Sequence, residues 1–255
     1  MQGDFGRIAQ QGGRAALVTV VRPGDSAALG VKLLVQADGA ASGTLGSAEL
    51  DEAARADAEE LMWAERSELR EHGDVTLFVD VTAPSPRLVV FGAVDFAAAL
   101  CRVARATGWR SYVIDPRGRF ATPERFPDAE EVIAEWPADA LAKLGGIDRA
   151  TYLAVLTHDP KLDDAALIAA VDSDAPFVGA MGSRRAQAQR RERLLAAGVA
   201  EEKLERISAP IGLDLGGLTA EETALSIMAE IVAVRNGREG GRLSASAGRI
   251  HEVGA

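Results

Sequence analysis

From residue 87 onward, short apolar runs alternate with helical segments, and that rhythm leaves the chain very few folds to choose from. Arg87-Leu-Val-Val-Phe91 is apolar at nearly every position, as a strand in the middle of a parallel sheet must be. Residues 94–106 read as a helix. Ser111-Tyr-Val-Ile-Asp115 is a second strand, closed by Pro116, and Glu131-Val-Ile-Ala134 is a short third. Thr151-Tyr-Leu-Ala-Val-Leu156 is a fourth, followed by a helix through Ala170, and residues 176–181 are a fifth. Strands separated by helices return in parallel, so the expectation is an α/β domain with a parallel, doubly wound sheet. Thr219-Ala-Glu-Glu222 is a capping box. It opens an amphipathic helix that carries Ala224, Ile227, Met228, Ile231 and Val232 on one side and ends near Asn236-Gly237.

Ala83-Pro-Ser-Pro86 interrupts both helix and strand. A boundary there divides the chain into a small N-terminal α+β domain, 1–83, and the doubly wound domain, 87–237. Residues 238–255, rich in Gly, Ser and Ala, are expected to form a flexible tail. In the N-terminal part, residues 15–21 and 31–36 read as strands with a turn at Asp38-Gly39, and Thr44-Leu45 begins a third. Ser47 is placed to cap a helix whose first turn is acidic (Glu49, Asp51, Glu52) and which runs to about Glu65. Residues 75–81 are a further strand.

Composition narrows the function classes. The 255 residues carry a net charge of −10, which disfavours nucleic acid or an anionic membrane as a partner held by bulk electrostatics. No 18-residue apolar run suggests a membrane span. The first residues lack the basic-then-apolar layout of a secretion signal, so a cytoplasmic location is expected. Cys101 is the single cysteine, on the apolar side of a helix, and reads as a small core residue. With histidines only at 72, 158 and 251, no metal-ligand spacing is present.

Three places carry chemistry. Gly179-Ala-Met-Gly-Ser-Arg-Arg185 runs from a strand through a Gly-Ser turn into a basic helix, residues 184–197. Free amides at the helix start, together with the forks of Arg184 and Arg185, suit a phosphate or carboxylate beside Gly182 and Ser183; solvated surface arginines are the equal alternative. Ala209-Pro-Ile-Gly-Leu-Asp214 follows, with Gly212 able to take a positive φ and Asp214 beside it. Thr157-His158-Asp159 stands just past a strand's carboxyl end, the ligand edge of an open α/β sheet. There His158 is a candidate proton carrier or ligand, and Asp163 is read with Asp159 as a cap for the helix begun by Pro160. The turn after Phe91 reads Gly92-Ala-Val-Asp-Phe-Ala97. A dinucleotide pyrophosphate would need small residues where Val94 and Asp95 stand, so NAD(P) binding is not expected. Asp115, about 20 residues on, is placed either for a ribose hydroxyl or as an ordinary turn former.

These motifs, with Thr219-Ala-Glu-Glu-Thr-Ala-Leu-Ser-Ile-Met-Ala-Glu-Ile, resemble the xanthine dehydrogenase accessory protein family (XdhC/CoxI) over roughly residues 15–237. The resemblance implies a small N-terminal domain followed by a Rossmann-like domain. It also implies transient binding of molybdenum cofactor (molybdopterin) and its delivery, in sulfurated form, to a molybdenum hydroxylase such as xanthine or carbon monoxide dehydrogenase. The chain is then a chaperone rather than a turnover enzyme. Gly92, Asp115, His158, Asp159, Gly182–Arg185, Gly212 and Asp214 would line the cofactor site. A cysteine desulfurase or second accessory subunit is a further expected partner, and the apolar helix after Thr219 is open to packing within the domain or across a homodimer. The chain departs from the family at several loops. The family's Gly-Ala-Gly-His-Val-Gly loop is Gly92-Ala-Val-Asp-Phe-Ala here, its Gly-Gly-Gly-Cys-type loop is Gly46-Ser-Ala-Glu49, a second cysteine loop is shortened to Glu71-His-Gly-Asp74, and a common histidine before Ala-Pro-Ile-Gly is Ser208. An NAD(P)-dependent oxidoreductase and a ligand-free interaction scaffold are the alternative readings.

Overall fold

The computed structural model describes residues 1–25 and 27–245. The end of the expected tail, residues 246–255, lies outside the described residues. Residues 238–245 run from the last long helix into a short 3-10 turn at Leu243–Ala245.

The chain divides at Pro84–Ser85 into two compact units. The first opens with helix α1 (Gln2–Gln10), then β1 (Ala15–Arg22), β2 (Lys32–Gln36), β3 (Ala41–Gly43), α2 (Ala48–Ala64), β4 (Glu68–His72) and β5 (Val75–Thr82). Its sheet is antiparallel in the order β3-β2-β1-β5-β4. Side chains alternate across β1 as the pleat requires. Ala16, Val18 and Val20 pack toward Leu50, Ala54, Ala58 and Leu61 of α2. Ala15 and Leu17 pack toward Phe5 and Ile8 of α1 on the other face. Ser47 caps α2, its hydroxyl accepting from the Leu50 amide at 3.2 Å. Three elements of this unit differ from the sequence reading, among them α1, which has no counterpart there. The third strand ends before Thr44, because the turn at Gly39 (φ 83°) sets residues 41–43 opposite 33–35. β4 is a polar strand that exists through its pairing with β5 across a tight turn at Gly73 (φ 61°).

The second unit contains β6 (Arg87–Phe91), α3 (Asp95–Ala106), β7 (Arg110–Ile114), β8 (Glu131–Ile133), α4 (Pro137–Lys143), β9 (Thr151–Val155), α5 (Pro160–Val171), β10 (Phe177–Ala180), α6 (Arg184–Ala196), α7 (Glu201–Leu204), β11 (Ile207–Ser208) and α8 (Ala220–Arg235). Its strands are all parallel, in the order β11-β10-β9-β6-β7-β8. The protein is therefore α/β, with a parallel six-stranded Rossmann-like sheet and an antiparallel sheet in the N-terminal part. Leu88 and Val90 of β6 face a layer with Leu100 of α3 and Ile227 and Ile231 of α8. Val89 and Phe91 face a layer with Ala166 and Leu167 of α5 and Leu194 of α6. The capping box of α8 is formed in full by Thr219 and Glu222. Strand order reverses between β6 and β9, so the crevice at their carboxyl ends is the topological switch point.

Candidate functional site

At the switch point the loops after β6 and β9 touch. Leu156 donates its amide to Phe91 O at 2.9 Å, and Gly92 (φ 110°) donates to Ile114 O at 2.9 Å. A Cβ on Gly92 would lie 2.8 Å from Thr157 Cγ2, so glycine is required both by its φ and by the close approach.

The turn that follows satisfies its own donors. The Ala93 amide donates to Asp115 Oδ2 at 2.9 Å, and the Val94 amide to Gly92 O at 3.0 Å. Asp95 is 94% exposed, and among the described residues its partner is Arg125 Nη2 at 3.2 Å. Asp115 points inward and is fully buried. Its Oδ1 accepts from the Arg117 amide and Nε, both at 2.9 Å, and its Oδ2 from Arg117 Nη2 at 2.7 Å as well as from Ala93. Burial alone would push this carboxyl up. The hydrogen bonds from Arg117 and Ala93 and the guanidinium charge outweigh it and hold Asp115 below its ordinary value. Asp115 thus ties the end of β7 to the turn after β6, with four N–H groups already on its two oxygens.

Beyond β9, Thr157 is buried and its hydroxyl accepts from the Asp159 amide at 2.8 Å. Asp159 is the N-cap of α5, its Oδ1 accepting from the Lys161 amide at 3.0 Å, with Pro160 in the first turn. His158 between them is exposed. The charge of Asp159 reaches Arg117, so the loops after β7 and β9 share one electrostatic field. Asp163 does not join Asp159 in capping. It lies four residues inside the helix, buried, and pairs with Arg190 Nη2 at 2.8 Å. Burial pushes the Asp163 carboxyl up despite the hydrogen bond and charge of Arg190.

The turn after β10 is more open. Gly182 takes φ 137°, and Ser183 caps α6 by accepting from the Ala186 amide at 3.2 Å. Gln187 Nε2 braces the turn through Ala180 O and Gly182 O, both at 3.3 Å. Arg190, also bonded to Gln187, braces it from below through Met181 O at 3.0 Å. The amides of Arg184 and Arg185 precede the first intrahelical acceptor. Both side chains are exposed, and among the described residues neither has an ion-pair partner.

The loop after β11 completes the edge. Its Ala209–Pro210 bond is cis, and Ile211 donates its amide to Ala180 O at 3.1 Å. A Cβ on Gly179 would overlap the Ile211 side chain, so the glycine lets the loop lie against β10. Gly212 (φ 104°) gives its amide to Glu230 Oε2 at 2.6 Å, and the other Glu230 oxygen accepts from Ser208 Oγ. Asp214 is exposed on the same loop.

The structure therefore brings Gly92, Asp115, His158, Asp159 and the Gly182–Arg185 turn to one edge of one sheet. Gly212 is engaged in holding its own loop, and Asp115 in holding two others. Arg190, Glu230 and Arg117 hold these loops in place; Arg190 and Arg117 fall in no motif, and Glu230 lies within the Thr219–Ile231 motif without being read there as a site residue. One signal was present: Arg190 falls at helical spacing with half-buried Gln187 and buried Leu194 on the inner stripe of α6, and an arginine on such a stripe calls for a buried acid.

Residues 88–231 match the family described as the XdhC Rossmann domain, and residues 8–73 match that of the XdhC and CoxI family. A Bacillus subtilis protein, named as a probable subunit of xanthine dehydrogenase, is 30% identical over 166 residues, covering 64% of this chain and 48% of its own length. The molybdenum cofactor insertion chaperone PaoD of Escherichia coli is 30% identical over 152 residues, 60% of this chain and 41% of its own. The uncharacterized protein YqeB of Escherichia coli is 30% identical over 169 residues, 66% of this chain and 31% of its own. The matches thus span less than half the length of these curated relatives. A crystal structure of a xanthine dehydrogenase from Bacillus halodurans superposes with a TM-score of 0.65 at 23% identity, covering 92% of this chain and 66% of that one, a likeness of fold.

Proposed function

We infer, from the premise that this chain belongs to the XdhC and CoxI family, that it is an accessory protein which holds molybdenum cofactor as cargo and hands it to a molybdenum hydroxylase. The named role of PaoD as an insertion chaperone supports the class of cargo. The observation that carries the reading is the contrast between two helix starts at the same sheet edge. At α3 the turn is closed: Ala93 and Val94 spend their amides on protein acceptors, and the exposed carboxylate of Asp95 repels an anion. At α6 the turn is open: among the described residues the amides of Gly182 and Ser183, the counterparts of Ala93 and Val94, have no protein acceptor, the glycine has no side chain to cover them, and two exposed guanidinium groups stand beside them.

The phosphate of a pterin cofactor fits the α6 turn and is repelled at α3. Arg184, Arg185 and the Gly182–Ser183 backbone would hold that phosphate. His158 and Asp159, across the β9 loop, would face the remainder of the cargo. When bound, the cargo supplies the molybdenum and the dithiolene sulfurs, while this chain binds and orients it. Sulfuration falls to another protein, a cysteine desulfurase or a second accessory subunit, because the thiol of Cys101 is buried and pushed up to about 11 by that burial.

The test is cofactor binding by the purified protein, read by pterin fluorescence after oxidative release. Each of Arg184→Ala and Arg185→Ala is expected to weaken binding roughly ten- to a hundredfold, the cost of one charge-assisted contact, with the melting temperature unchanged. Wild-type affinity in both variants places the phosphate elsewhere.

A further inference from the structure

The loop after β7 carries a second concentration of positive charge that the α6 turn does not use. Arg119, Arg117 and Arg125 set their guanidinium carbons 4.5, 5.1 and 5.9 Å from the centre of one ring, Phe120. Cation–π contact holds each in place, but three like charges around one phenyl ring repel one another. Two of them have duties in the fold. Arg117 is locked in its fork with buried Asp115. Arg125 Nη1 donates to Ala93 O at 3.1 Å and to Phe120 O at 3.0 Å, stitching the loop to the turn after β6, while its Nη2 meets the exposed Asp95. Arg119 has no such duty. It is exposed, and among the described residues it has no carboxylate partner.

Position gives the surplus charge a meaning. In a doubly wound sheet the acid at the end of the second strand accepts from the hydroxyls of a bound ribose, and an arginine there takes a phosphate on that ribose instead. Here the acid is Asp115, turned inward with both oxygens saturated, so at its position the loop presents the guanidinium groups of Arg117 and Arg119 instead; the exposed carboxylates nearby are Asp95, held by Arg125, and Glu124 of the loop itself. We propose that the β7 loop, residues 116–126, is a second anion site that takes a phosphomonoester on a sugar, gripped by Arg119 beside the Arg117–Phe120–Arg125 platform. The site needs no pyrophosphate at the Gly92 turn, and it is independent of the α6 site. β7 and β10 are separated by two intervening strands, so the two basic centres lie roughly 14 Å apart along the edge.

The full chain, labelled with nitrogen-15, is titrated at low salt with adenosine 2′,5′-bisphosphate and with adenosine 5′-monophosphate, following the arginine Nε–Hε signals. The expected result is at least about tenfold tighter binding of the bisphosphate, with the Arg119 signal shifting. Arg119→Ala, at an exposed position where folding is not at stake, removes that difference, and Arg119→Lys recovers part of it. The Arg184→Ala/Arg185→Ala double variant keeps it. Equal binding of the two nucleotides, or a difference that survives Arg119→Ala, overturns the site. A difference lost with Arg184 and Arg185 but kept without Arg119 also overturns it, and leaves the α6 reading standing.

Discussion

Asp115 shows how one residue's environment decides its role. Ahead of a proline at a strand end it reads first as an ordinary turn former and second as a ribose acceptor. The structure turns it inward, where two amides and the Arg117 fork hold it ionised. A carboxyl whose folded value is lowered contributes stability above its unfolded value, about 3.9, and loses it as pH falls through the lowered one. Asp115→Asn is therefore expected to cost about 2 kcal/mol at pH 7, the worth of hydrogen bonds to a charged group. The gap between wild type and variant should close as the pH falls below that of the free carboxyl. Urea midpoints of both proteins at pH 7 and pH 3 check this; a gap of the same size at both contradicts the assignment. Asp163 has the opposite sign. Burial raises it, so whatever it contributes is present below the ordinary carboxylate range and is lost as pH rises through its folded value.

Single elements were legible in the sequence where local chemistry suffices to form them. The capping box at Thr219–Glu222 and the Ser47 cap mark the starts of α8 and α2, and the unbroken apolar runs of β6 and β9 mark buried parallel strands. Elements that depend on a partner were hidden. Glu68-Leu-Arg-Glu-His72 has no strand pattern of its own and becomes β4 only beside β5, and β11 is two residues long and is defined by its bonds to β10. α1 contains two glycines and forms with Phe5 and Ile8 packed on β1. The Asp163–Arg190 pair joins residues 27 apart, which helical spacing alone does not reveal. For the candidate site, the α6 turn could be read from Gly-Ser-Arg-Arg, whereas closure of the α3 turn depends on Asp115 reaching Ala93 from the neighbouring strand, 22 residues on. That closure predicts weak nicotinamide dinucleotide binding. No amide of the Gly92–Val94 turn is free to meet a pyrophosphate, and Asp95 opposes its charge. Calorimetry with NAD is expected to show no micromolar binding; a micromolar dissociation constant would reopen the oxidoreductase reading.

At the scale of the whole molecule, the question is which steps of cofactor delivery this chain carries itself. Binding has a place, at the open edge of the parallel sheet. Sulfur transfer requires an accessible thiolate near its acceptor, and a thiolate forms only where the surroundings favour the anion. The sequence offers one thiol, Cys101, and the fold puts it on the inner face of α3 among Leu100, Ala104 and Val113, with no exposed surface. Burial raises it to about 11, so at neutral pH almost none is ionised. Serine nearly matches cysteine in size, so Cys101→Ser tests the chemistry with little change in packing. The variant is expected to fold, to bind the cofactor as wild type does, and to support activation of a client molybdenum hydroxylase to the same level when a sulfur donor is supplied. Cofactor binding and client activity are measured side by side, because they separate a damaged core from a missing nucleophile. A variant that melts lower and fails at both has lost packing. One that folds and binds but leaves the client unsulfurated shows that the α3 helix opens during delivery and that the thiol is used, and the division of labour proposed for this chain and its sulfur-supplying partner would then be wrong.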